Sequence, residues 1–176
     1  MESEHVLIGN IKDNFDRVED ILDNYLFRIG ITGKNDLRFT LLSEEALRLA
    51  RSIVEDDSGI EIWFEGDDKV SHIYLRIKGT FDANKEEEFV SISSSGTNSS
   101  DKTFFDELKR FFVKPQKATW SLAEYTRELN EKKQQDKYAQ DSWDNLERSV
   151  IANLANDIVV QVKDGIVVMD ITKKLD

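Results

Sequence analysis

Cysteine is absent from the 176 residues, which removes disulfides and thiolate metal ligands. Histidine occurs twice, at His5 and His72, and two imidazoles so far apart in the chain argue against a histidine-rich metal centre. Positive charge is the scarcer sign: 24 lysines and arginines stand against 35 aspartates and glutamates, a formal net charge of −11. An acidic surface repels phosphate backbones and anionic bilayers, so neither nucleic acid nor membrane is an expected partner. No apolar run approaches the length that spans a bilayer. The amino terminus, MESEHVLIGN, lacks the basic region and apolar core of a signal peptide. The expected setting is cytoplasmic. Proline occurs once, at Pro115.

What the chain does have is 39% apolar and 34% charged residues, the balance of a globular domain with a real core. Its organising stretch is Asn35–Glu55. Phe39, Leu42, Ala46, Leu49 and Ile53 recur at spacings of 3, 4, 3 and 4, which places them on one face of a helix. Leu37 and Leu41 are expected to widen that stripe. Glu45 is edged by Leu41, Leu42 and Leu49, a costly place for a carboxylate without a partner. Two readings follow. In one, Glu44 pairs with Arg48 at the helix surface; in the other, Glu45 faces a pocket as a general base.

The remaining elements follow from periodicity. Val6-Leu7-Ile8 predicts a strand, and Phe15–Ile29 a helix ended by Gly30 and Gly33. Ile60, Ile62 and Phe64, then Ile73, Leu75 and Ile77, alternate with polar and aromatic residues around Gly66-Asp67-Asp68-Lys69, which predicts a hairpin. Its aliphatic face is expected under helices and its other face, with His72, partly wet. Ser91–Ser100 holds six serines and reads as a surface loop, or as a cradle of N–H groups for an anion. Phe104, Phe105, Phe111 and Phe112 look like packing. Trp120, Leu122 and Tyr125 are expected to open a helix, with Ser121 a cap. The segment from Arg127 to Asp141 reads as a solvated helix or connection. Trp143, Leu146, Val150 and Leu154 predict one final helix, and two β-branched runs around Asp164-Gly165 predict a hairpin with a type I′ turn. The expected class is α+β: a two-layer α/β sandwich whose mostly antiparallel mixed sheet is covered on one face by helices. It is read as one domain, 1–176, with an irregular helical insert at about 79–142.

Three places resemble the histidine-kinase-like (GHKL, or Bergerat) ATPase superfamily in its anti-sigma-factor form. Ser43-Glu44-Glu45-Ala46-Leu47 resembles the helix carrying the family's general-base glutamate, here Glu45. Ile73–Ile77 running into Gly79-Thr80-Phe81-Asp82 is similar to the strand entering the first glycine box. Ala152–Met169 resembles the closing helix and hairpin. The resemblance implies the family fold, and ATP-pocket positions at Arg48, Leu49, Lys78, Gly79, Asp82, Ser95, Gly96 and Asn98. It also implies bacterial signalling through a protein partner of the sigma-factor or regulator kind, and homodimers. The sequence departs from the family pattern where Mg-ATP is positioned. Leu49 stands where the family has its Mg²⁺-binding asparagine, no Asp-x-Gly-x-Gly occurs, and no glycine cluster precedes Trp143. The expectation is therefore a degenerate domain with no metal and no cofactor, its glutamate vestigial, acting as a non-catalytic interaction module. The alternative is an ATP-binding protein or anti-sigma-type serine kinase that retains Mg-ATP through non-standard contacts.

Overall fold

Alternation of apolar and polar side chains builds most of this molecule. A computed structural model describes residues 1–9, 15–53, 59–78, 111, 119–132, 143, 146 and 149–175. Among them, six strands form one antiparallel sheet: β1 (Val6–Ile8), β2 (Gly59–Gly66), β3 (Val70–Lys78), β4 (Thr119–Ser121), β5 (Asp157–Lys163) and β6 (Ile166–Lys174). Their order across the sheet is β1-β2-β3-β6-β5-β4. Two hairpins thus meet at the β3–β6 pairing, where Leu75 opposes Met169 and Tyr74 opposes Asp170.

Four helices accompany the sheet among the described residues: α1 (Phe15–Ile29), α2 (Lys34–Ile53), α3 (Leu122–Lys132) and α4 (Val150–Leu154). Val18, Leu22, Tyr25 and Leu26 of α1, and Phe39, Leu42, Ala46 and Leu49 of α2, join the sheet's Ile62, Phe64, Leu75 and Met169 in one apolar core. At its centre the rings of Tyr25, Phe39 and Phe64 lie with centroids 5.8 to 6.3 Å apart. The hairpin turns are as expected. Asp164 and Gly165 take φ of 52° and 73°, the paired positive values of a type I′ turn. At the other hairpin Asp67 Oδ1 accepts from the N–H groups of Lys69 and Val70, both at 2.9 Å.

Several expectations are corrected. Trp120 does not open a helix; it lies in β4, opposite Val160. The helix begins at Leu122, and Ser121 Oγ accepts from Glu124 N–H at 3.1 Å as its cap. The single helix read over Trp143–Leu154 is interrupted at Ser149, whose φ of −68° and ψ of 125° are extended. Its hydroxyl accepts from Ala152 N–H and starts α4 afresh. Lys173 Nζ donates to the Leu154 carbonyl at 2.6 Å, placing a cation at that helix's C-terminus. Leu37 and Leu41 do not extend the buried stripe: both are exposed. Each is two residues from a stripe position, and at 3.6 residues per turn two residues rotate a side chain roughly 200°. The serine-rich loop, the phenylalanine cluster apart from Phe111, and most of the insert lie outside the described residues.

Candidate functional site

The helix that carries the two adjacent glutamates turns them in different directions. Glu44 is exposed, whereas Glu45 is buried at 7% exposure, on the flank of the stripe formed by Leu42, Ala46 and Leu49. Arg48 Nη1 donates to Glu45 Oε1 at 2.8 Å, so the ion pair on α2 joins Arg48 to Glu45 and not to Glu44. This is the partner that a carboxylate edged by leucines requires. Leu49 is fully buried in the core. Lys78 is exposed at the end of β3, where the alternation puts it with His72, Tyr74 and Arg76 on the face away from the core. The structure therefore does not bring Lys78 to Glu45. Gly79, Asp82, Ser95, Gly96 and Asn98 lie outside the described residues.

A different cluster stands on the outward face of the sheet. His5, one residue before β1, is beside Trp63 of β2, which opposes Tyr74 of β3, which opposes Asp170 of β6. The rings form a continuous stack. His5 and Trp63 are 4.4 Å apart at 7°, Trp63 and Tyr74 5.1 Å at 15°, and Tyr74 and His72 5.7 Å at 9°. Arg76 lies over the Trp63 ring at 5.3 Å. The chain's two histidines thus close the two ends of one aromatic stack.

Carboxylates fix both ends. His5 Nδ1 meets Glu61 at 2.9 Å and His5 Nε2 meets Glu2 at 3.0 Å. Hydrogen bonds to Glu2 and then Glu61 raise the His5 pKa above its ordinary value. The bond from His5, with the nearby Arg76, lowers that of Glu61. Arg76 Nη1 donates to the second Glu61 oxygen at 2.7 Å. At the far end His72 Nδ1 meets Asp170 at 2.7 Å, with Thr172 Oγ1 at 3.4 Å from the same nitrogen. Burial, and then Asp170, raises the Tyr74 hydroxyl. Asp170 and Thr172 both address Nδ1, so the pair is an orienting contact without a serine- or threonine-type nucleophile on Nε2 among the described residues.

Sequence reading placed His72 on the wet face but missed this assembly. The signal that carries it is the outward set Trp63, Tyr74 and Arg76, which is visible in the alternation; the join to His5 and Asp170 needs the strand order. Trp63 and Tyr25 are buried, at 8% and 1% exposure. No family model, no curated protein and no solved structure matches the chain.

Proposed function

We propose that this chain is a non-catalytic regulatory module of the histidine-kinase-like kind, acting through protein–protein contact in bacterial signalling. The observation that carries the reading is Leu49. It is wholly buried in the apolar core at the position where the resemblance calls for a metal-binding asparagine, and an aliphatic side chain offers Mg²⁺ no ligand. The pairing of Glu45 with Arg48 supports it further, since the carboxylate that the resemblance assigns as general base is engaged in an ion pair.

The surface available for a partner is the outward side of the first two helices. Phe27 is 82% exposed, Leu37 72% and Leu41 41%. Around them α2 exposes Lys34 and Arg38 and α1 exposes Asp16, Glu19, Asp20 and Asp23, so the apolar side chains are set among charges of both signs, as at the polar rim of a protein interface.

Two titrations test the reading. Mg-ATP at millimolar concentration should leave the melting temperature unchanged, and a rise of several degrees overturns the proposal. Calorimetric titration with candidate sigma factors and their antagonists should find a binder. Leu37→Asp should weaken that binding by about tenfold or more without altering the fold.

A further inference from the structure

The geometry around His5 sets a protonation requirement that no other side chain here shares. Both ring nitrogens face carboxylates: Nδ1 faces Glu61 and Nε2 faces Glu2. An ionised carboxylate only accepts, and a neutral imidazole has one N–H. Both contacts are therefore satisfied only when His5 carries two N–H groups, as imidazolium. His72 is different, because its one carboxylate contact at Nδ1 is satisfied by the neutral ring.

The same contacts secure an edge of the sheet. β1 is three residues long and pairs only with β2 among the described strands. It is continued by the Glu2–Glu65 bridge and by Ser3, whose N–H donates to the Phe64 carbonyl at 2.8 Å. Ser3 Oγ accepts from Phe64 N–H at 2.9 Å. Val6 and Ile8 anchor β1 in the core, whereas the segment before them, Glu2–His5, is exposed or half-buried and is held by these contacts and by the His5 carboxylates.

We propose that His5 is a proton-operated clamp on this edge. As imidazolium it ties Glu2 to Glu61 and seats the segment Glu2–His5 against the Trp63–Gly66 end of β2. On losing its proton it keeps one carboxylate and turns a lone pair on the other, which breaks the Glu2–His5–Glu61 tie between the segment and β2. The charged and titratable groups around it are few. Glu2 lies on its own segment, and Glu61 and Glu65 lie on β2. Arg76 on β3 shares Glu61, and the Met1 amino group donates to the Gly66 carbonyl at 2.6 Å. Tyr74 and His72 stand beyond Trp63 and do not touch the ring's nitrogens. Release would uncover the backbone N–H and C=O groups of Phe64 and Gly66 at the end of β2, a template on which an extended peptide adds as a strand.

The test uses the full chain and three readouts between pH 5.5 and 8.5. Nitrogen NMR should show His5 doubly protonated at the acid end and titrating above the ordinary value of a histidine. Amide exchange at Ser3 and Phe64, corrected for intrinsic rates, should quicken about two- to fivefold as His5 deprotonates, while Leu75 in the sheet centre does not change. His5→Gln should give the faster exchange at every pH. Glu2→Gln, at an exposed site that leaves the fold intact, should lower the His5 titration and abolish the pH dependence of exchange. A singly protonated His5 at pH 5.5, or Ser3 and Phe64 protection that is the same at both pH extremes, overturns the proposal.

Discussion

Tyr25 reaches from the middle of α1 to Ser71 at the start of β3, its hydroxyl donating to Ser71 Oγ at 2.9 Å. Both residues are buried, and Ser71 Oγ in turn donates to the Asp67 carbonyl at 2.9 Å. Helix, strand and hairpin turn are thereby joined by one hydrogen-bond relay inside the apolar core. Tyr25→Phe keeps the ring contacts with Phe39 and Phe64 and removes only the donor. The expected cost is about 1 kcal/mol in urea unfolding, the net worth of a buried hydrogen bond. Tyr25→Ala also removes the ring, and the expected loss rises to about 3–5 kcal/mol.

Glu61 gives the molecule an acid-side signature. Its bond from His5 and its proximity to Arg76 lower its pKa, so the folded state favours its charged form. A depressed carboxylate contributes stability that is complete above its ordinary value of 4.5 and is lost as pH falls through the lowered folded value. Glu61→Gln should therefore flatten the decline in unfolding free energy below pH 4.5 while leaving its shape above pH 8 to the other groups. Denaturation midpoints at half-unit steps from pH 3 to 6, in wild type and variant, check this. An unchanged acid limb in the variant contradicts it.

Leu49 offers a direct trial of the family's amide. Leu49→Asn places a polar group at a fully buried position of the apolar core. The substitution removes buried methyl groups and leaves an amide without partners, an expected loss of about 2–4 kcal/mol. It should confer no response to Mg-ATP, because a single ligand does not rebuild the phosphate contacts. Thermal scans with and without Mg-ATP measure both effects together.

These residues also show what was legible in the chain. The two long hairpins follow from strict alternation and from turn residues with one conformational solution, as at Asp164-Gly165. The long helix follows from the spacing of Phe39, Leu42, Ala46 and Leu49. β4 was not legible, because Thr119-Trp120-Ser121 is too short for a period and is a strand only through its pairing with Val159–Gln161. The break at Ser149 was hidden, since Trp143, Leu146, Val150 and Leu154 keep helical spacing across it. Of the candidate site, the burial of Glu45 was readable from its apolar neighbours. Its partner was not, because Arg48 lies within reach of both Glu44 and Glu45 along the helix and only the packing decides between them. The His5–Trp63–Tyr74–His72 stack was beyond reach for a related reason: its members come from β2, from β3 and from the segment before β1, which only the strand order brings together.

The two hairpin turns make opposite predictions for glycine. Gly66 has φ of 144°, and a Cβ there would fall on the Val70 carbonyl oxygen and 2.6 Å from Ser71 Cα. Those atoms are backbone of the turn that Asp67 holds, so they have no side-chain freedom with which to yield. Gly66→Ala should cost about 2 kcal/mol or more, and it should disturb the Tyr25–Ser71 relay, because Ser71 is the residue displaced. Gly165 has φ of 73° with nothing within 4 Å of an added Cβ. Its constraint is conformational alone, and asparagine tolerates the left-handed region better than other side chains. Gly165→Asn should cost less than about 1 kcal/mol, and Gly165→Val distinctly more, since a β-branched residue suits neither φ nor the turn. Equal midpoints for Gly66→Ala and Gly165→Asn in urea unfolding would show that backbone crowding at Gly66 is not what fixes that turn.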